Sequence, residues 1–228
     1  MTRIARVVAP RHPHHITQRG NRRCQVFFDD LDRTKYVQLL SKYSTQYGLH
    51  IWAYCLMHNH VHFVCVPETM EALGKTFRDT HQAYAMYLNQ ALGETGHLWQ
   101  GRFFSCVLDE EHLWAAVRYV EMNPVRAGVV ERAEGYAWSS ARAHVDRRRR
   151  DPLLAADFPP SGVISSWSEW LAFSSKEQEE RLFKHTQTGR PLGSAPFVKR
   201  LEKALGRSLA RRKPGPKPTQ PRGRRSGG

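Results

Sequence analysis

Leu56 Met57 His58 Asn59 His60 Val61 His62 Phe63 sets three imidazoles at alternate positions, and the run that follows it, Val64 Cys65 Val66, is wholly apolar. Successive side chains of a β-strand point to opposite faces, so positions two apart share a face. His60 and His62 are therefore expected on one face with Val61 on the other. Two imidazoles aimed at one point suit a divalent metal. The plainer alternative is that histidines at the head of a buried strand only satisfy hydrogen bonds.

A second stretch, Tyr119 Val120 Glu121 Met122 Asn123 Pro124, bears on that choice. Asp109 Glu110 Glu111 before it is a strong helix start, an N-cap candidate followed by acids that suit the positive end of the helix dipole. Leu113, Ala116, Val117 and Val120 form an apolar stripe at helical spacing. Tyr119 and Asn123, at i and i+4, flank the stripe side by side. His112 lies further back on the same flank as a candidate supporting group. The helix is expected to run to about Asn123 and stop before Pro124. A tyrosine at the edge of a stripe is ordinarily packing. Joined to an amide and two imidazoles, it composes a metal-assisted phosphoryl-transfer site.

These residues carry a family resemblance. His60 Val61 His62 resembles the His-hydrophobic-His motif of single-tyrosine HUH endonucleases, and Tyr119 resembles their nucleophile. Leu56 to Val66, Trp99 Gln100 Gly101 Arg102 Phe103, and Tyr119 to Val130 resemble the IS200-like transposases, especially the branch associated with repetitive extragenic palindromes (REP). The likeness spans roughly residues 10 to 145, and His58 stands where the family usually has proline. It implies a ferredoxin-like (RRM-like) α+β fold with an antiparallel sheet, a Mg²⁺ or Mn²⁺ ion held by His60, His62 and Asn123, and Tyr119 as nucleophile. The implied partner is DNA, in the form of a single-stranded hairpin, contacted by Arg19, Asn21, Arg22, Arg23, Arg102 and Arg126. It leaves open a third imidazole near the metal at His58, and a monomer or a homodimer.

Charge points the same way. The formal net charge is +14 and unevenly spread: six arginines and no acid lie between Met1 and Phe28, Arg147 to Arg150 form a run, and residues 211–228 carry seven basic residues and no acid. A polyanion partner fits that distribution. Of the four cysteines, Cys24, Cys55, Cys65 and Cys106, none forms a CxxC pair, so neither a zinc ribbon nor a disulfide framework is supported. No apolar run approaches the roughly 18 to 20 residues of a membrane helix, and the N-terminus lacks a signal-peptide apolar segment, so a cytoplasmic protein is expected.

Around these stretches the chain reads as alternating elements. His14 to Arg19 is a strand broken at Gly20 Asn21, with Arg19, Arg22 and Arg23 around the turn. Asp29 to Tyr47 is a helix using Leu31, Tyr36, Leu39, Leu40 and Tyr43, ended by Gly48. Leu49 to Leu56 and His60 to Val66 make a hairpin candidate. Glu68 to Leu92 is a long helix whose Arg78, His81 and Gln82 read as solvent-facing, and His97 to Leu108 is a loop feeding a strand.

Beyond Gly128 the pattern weakens. Tyr136 to Ser140 reads as a short closing segment, and Ser168 to His185 and Phe197 to Leu209 as two helices of an appendage. The expected layout is a catalytic domain over 1–146, a helical accessory region over 147–210 and a disordered basic tail over 211–228, which resembles a loose AT-hook without its Arg-Gly-Arg-Pro core. The reading is a single-strand DNA endonuclease and strand transferase working through a 5′-phosphotyrosine. Its alternatives are a DNA-binding relative that has lost the chemistry and a nucleotide hydrolase of the histidine-triad type.

Overall fold

The computed structural model describes residues 4–159, 164–173 and 175–209, so the tail over 211–228 lies outside the described residues. Four strands, β1 (His14–Arg19), β2 (Leu49–Met57), β3 (His60–Pro67) and β4 (Phe104–Val107), form one antiparallel sheet in the order β2-β3-β1-β4. With α1 (Asp30–Tyr47) between β1 and β2, and α2 (Ala72–Leu92) between β3 and β4, this is the ferredoxin-like plan. The hairpin of β2 and β3 closes with Met57 opposite His60.

Each face of the sheet has its own core, as the period-2 alternation of the strands requires. Ile16, Val61, Phe63 and Cys65 pack under α1 and α2 with Tyr36, Leu40, Phe77, Tyr84 and Leu88. On the other face Ala53, Cys55, Val64 and Cys106 meet Leu113, Ala116, Val117 and Val120 of α3 (Glu110–Glu121) and Leu182 of α7 (Lys176–Thr188). Burying one such Leu or Phe contributes about 1.5–3 kcal/mol. α7 comes from the expected accessory region, yet it lies against β4, β1 and α3.

Asp109 caps α3 as the sequence suggests, and Asp29, expected as the first residue of α1, is its cap. Asp29 accepts from the Asp32 amide at the start of α1, while Asp32 reaches back to the Phe28 amide, and Asp109 accepts from the His112 amide at the start of α3. Gly48 ends α1 in the left-handed region at φ 66°. Four expectations need correcting. Leu31 of α1 is exposed, and the buried positions are Asp32, Tyr36, Leu40 and Ser44, because the reciprocal cap turns Asp32 inward. His81 is buried, its ring 4.5 Å from that of Trp99. The stretch from Ser168 to His185 is two helices, α6 (Trp167–Ala172) and α7, since Ser175 caps a new start by accepting from the Gln178 amide. The fourth, at Pro124, belongs to the site.

Tyr136 to Ser140 runs beside the β2 edge, with Leu56 donating to the Trp138 carbonyl and Ser140 to that of Tyr54, and it leads into α5 (Ala141–Val145). α8 (Ala195–Leu205) packs Phe197 and Leu201 on Val7, Ala9 and Val107. Cys55, Cys65 and Cys106 are buried free thiols, and Cys24 is exposed.

Two buried histidines away from the site make stability pH-dependent. His14 Nε2 accepts from the Ala9 amide, and burial lowers its pKa to about 4. His81 Nε2 faces the Tyr36 hydroxyl, and burial lowers its pKa to about 3. An unfolded histidine titrates near 6.5, so below that pH the unfolded chain takes up protons that the folded chain refuses. Each group then costs about 1.4 kcal/mol per pH unit, and nothing above pH 6.5. From pH 7.5 to 5.0 the pair should remove about 4 kcal/mol, read as a falling urea midpoint. His50, whose pKa is raised by Glu68 and Asp157, works in the opposite direction, while the buried His15, His60 and His62, all lowered by burial, add to the loss. An unchanged midpoint would contradict the burial of these rings as neutral groups.

Candidate active site

β3 begins at His60, opposite Arg19 of β1, and two residues on His62 stands opposite Thr17. Val61 and Phe63 enter the α1 and α2 core while Val64 enters the other, so His60 and His62 share the α3 face. Their ring centroids are 5.1 Å apart. The next residue along that face of β1 is His15, whose ring stacks on His62 at 5.3 Å with Nε2 3.1 Å from His62 Nδ1.

The α3 stripe is buried as expected and leaves Tyr119 over the histidines, its ring 5.5 Å from those of both His62 and His15 and nearly perpendicular to each. Here the Pro124 expectation is corrected. α3 ends at Glu121, and Pro124 sits in the first turn of a short second helix, α4 (Asn123–Arg126), where its missing N–H costs nothing. Asn123 still lies beside Tyr119, with Nδ2 donating 2.9 Å to the Tyr119 carbonyl, and its side chain acts electrostatically on His60. Arg126 covers the Tyr119 ring at 4.1 Å, donates to the Tyr119 carbonyl at 2.6 Å and pairs with Glu179 of α7 at 2.8 Å.

Electrostatics keep the histidines neutral and the phenol protonated at neutral pH. Burial, and then the nearby Arg19 and His58, lower the His60 pKa to about 4. Burial, His60 and His15 hold His62 well below its ordinary value. Burial raises the Tyr119 pKa, and Arg126 and Arg19 pull against it. His60 Nδ1 donates 2.6 Å to Asn59 Oδ1, whose own amide nitrogen is given to the Arg23 carbonyl. The atoms left for a cation are Nε2 of His60, Nε2 of His62 and Oδ1 of Asn123. Among the described residues no three His, Cys, Asp or Glu side chains form a metal-holding group. The set fits Mg²⁺ or Mn²⁺ only with phosphate oxygens and water completing the shell.

The expected DNA contacts divide. Arg19 acts electrostatically on His60, His62 and Tyr119. Arg22 and Arg23 are exposed on a tight turn with left-handed φ of 51° and 64°. The turn is stitched to the loop before β4: Asn21 donates to the Leu98 carbonyl, Gln100 to that of Arg19, and Gly20 bridges to Trp99. A side chain at Gly20 would meet the Cys24 carbonyl at 2.2 Å, so the close approach requires glycine. Arg102 is exposed on that loop. Arg126 is exposed as well, and donates to the Tyr119 carbonyl and to Glu179. His58 stays exposed in the β2–β3 turn, and His112 turns away to Asp109.

The sequence model of the family described as "Transposase IS200 like" matches residues 9–123, from the approach to β1 through Asn123. The chain belongs to the IS200-like transposase family. Among solved structures, the chain is similar to a REP-associated tyrosine transposase bound to a REP hairpin, with a TM-score of 0.56 at 20% identity over 70% of this chain and 94% of that one. It is also similar to a crystal structure of a protein from Deinococcus radiodurans R1, with a TM-score of 0.34 at 23% identity over 53% of this chain and 96% of that one. No curated protein matches. Family membership sets aside the histidine-triad alternative.

Three residues packed around this cluster escape the sequence reading: His15, Glu179 and Thr186, the last 2.8 Å from His15 Nδ1. For His15 a signal existed in the alternation of His15, Thr17 and Arg19 within HHITQR, which is the same period-2 pattern as the motif strand. For the two α7 residues none did.

Proposed function

We propose that this transposase cleaves and rejoins single-stranded DNA through Tyr119. The convergence of Tyr119, His60, His62 and Asn123 on one face of the sheet carries the reading. The phenol oxygen attacks the scissile phosphorus, the bond to the 3′-oxygen breaks, and a 5′-phosphotyrosine forms. The phenol loses its proton and the departing 3′-oxygen gains one. The new linkage is again a phosphodiester, so rejoining needs no ATP. His60, His62 and Asn123 would hold Mg²⁺ or Mn²⁺, which when bound supplies Lewis-acid stabilisation of phosphate charge. Arg126, placed over the ring, orients Tyr119 and favours its ionised form.

The substrate we propose is a DNA hairpin, of the kind formed by repetitive extragenic palindromes. The likeness of fold to a transposase bound to one supports this, as does the basic turn beside His60. We place the activity in the cytoplasm, with the DNA. Among the described residues no helix is long and apolar enough to cross a membrane. A denaturing gel of the protein with labelled hairpin strands and Mn²⁺ should show a covalent band that a chelator removes. Absence of any band on every hairpin strand tested would overturn the reading. Tight hairpin binding with no adduct would instead select a DNA-binding protein without chemistry.

If the Arg19 to Arg23 turn meets phosphates, Arg22→Ala with Arg23→Ala should weaken binding to all hairpins alike. The slope of log K against log salt should fall by about 0.7 per lost contact to a single strand. Anisotropy titrations over a salt series read it directly, and an unaltered slope would remove the turn from the interface.

A further inference from the structure

His15 is buried against His62, and the other side of its ring meets α7. Its Nδ1 lies 2.8 Å from Thr186 Oγ1, and that hydroxyl lies 2.8 Å from the Leu182 carbonyl. The carbonyl oxygen can only accept, so the single hydroxyl proton of Thr186 goes to it. Thr186 Oγ1 is then an acceptor toward its other two neighbours, His15 Nδ1 and Cys106 Sγ, the latter at 3.2 Å. One donation and two acceptances fill the capacity of a hydroxyl group. His15 must therefore carry its proton on Nδ1 and present a lone pair at Nε2. The atom facing that lone pair, His62 Nδ1 at 3.1 Å, must in turn bear a proton. What remains on His62 is an unprotonated Nε2.

We propose that Thr186 and His15 are positioning residues that fix the tautomer of His62, so that Nε2 is free to bind a divalent cation. The direction of the chain originates at a backbone carbonyl of α7 and runs through a hydroxyl group and an imidazole to the motif strand. His60 reaches the same tautomer by a separate route, because its Nδ1 donates to the Asn59 amide oxygen. Both motif histidines thus turn Nδ1 to a fixed acceptor, which leaves Nε2 unprotonated. Metal-bound histidines commonly have such a partner on the other ring nitrogen, and its loss costs 10–100-fold in metal affinity. The cation itself rests on the proposed function, whereas the proton order does not.

The test begins with the full chain in metal-free buffer, labelled with ¹⁵N in histidine, using long-range ¹H–¹⁵N correlation at neutral pH. His15→Gln and His62→Gln samples assign the two rings. Both rings should show a protonated Nδ1 and an unprotonated Nε2, and a proton on Nε2 of either would overturn the proposal. Free Mn²⁺ is then titrated without DNA, with binding read by electron paramagnetic resonance. Thr186→Val should weaken Mn²⁺ binding 10–100-fold and give His15 mixed tautomers, while Thr186→Ser restores both properties. A folded Thr186→Val protein that binds Mn²⁺ as the parent does would show that Thr186 has no positioning role. If the parent shows the expected tautomers yet binds no Mn²⁺, the metal-site reading fails and the proton order stands.

Discussion

Tyr119→Phe should abolish the covalent protein–DNA band and leave hairpin affinity nearly unchanged. Phenylalanine has no atom that can attack phosphorus, so adduct formation should fall below detection, a loss of at least about 10³-fold or 4 kcal/mol in barrier. Binding should survive because every contact recorded for this side chain is made by its ring. Arg126 sits 4.1 Å from the ring centroid, and the rings of His15 and His62 lie nearly perpendicular to it with centroids 5.5 Å away. Phenylalanine keeps the ring and most of its attraction for the guanidinium. The carbonyl accepting from Arg126 and Asn123 is backbone, so the substitution leaves it in place. Paired measurements, a denaturing gel for attachment and anisotropy for affinity, separate nucleophile from scaffold. A persisting adduct would move the nucleophile to another residue. Loss of binding along with the adduct would mean that the phenol serves recognition.

The residues of the site that were legible in the sequence are those whose relation is local. His60 and His62 are two apart in one strand, and Tyr119 and Asn123 are four apart across a helical bend, so backbone periodicity alone places each pair. The break at Met122 does not disturb the second pair, because α4 continues the turn closely enough for Asn123 to bond to the Tyr119 carbonyl. The fold was legible for a similar reason: the Asp109 cap and the left-handed Gly48 mark element ends with little ambiguity.

What stayed hidden depends on how distant elements dock. His15 meets His62 only through the β1–β3 register, and nothing in either strand states that register. α7 was invisible as a wall of the site because two of its three buried residues, Thr186 and Thr188, are polar and leave Leu182 as a stripe of one. Its fixed position comes from polar contacts, Glu179 to Arg126 and Thr186 to His15, which no hydrophobic period can report. His81 misled in the opposite sense, since a titratable residue on a helix reads as exposed unless the indole that covers it is known.

Glu121, which the reading passed over between Tyr119 and Asn123, should prove the costliest single carboxylate to remove. It is fully buried at the end of α3, and its oxygens accept from Ser140 Oγ at 2.5 Å, His144 Nδ1 at 2.6 Å and Trp167 Nε1 at 2.8 Å. Those donors belong to the approach to α5, α5 itself and α6, so one carboxylate joins the tyrosine helix to the elements that follow the sheet. Glu121→Ala leaves the donors without an acceptor and opens a cavity, at a cost of about 3–5 kcal/mol. In a chain of this size that lowers the melting temperature by about 10 °C. Glu121→Gln keeps the shape and one accepting oxygen but turns an N–H₂ toward a donor, so its cost should be smaller, about 1–3 kcal/mol. The ranking of the two variants matters more than either value. If alanine cost less than about 1 kcal/mol, water would have to replace the carboxylate, and the anchor of α3 would lie instead in its apolar stripe. If both variants were destabilised alike, the negative charge itself, rather than the number of accepted hydrogen bonds, would be what holds the three donors.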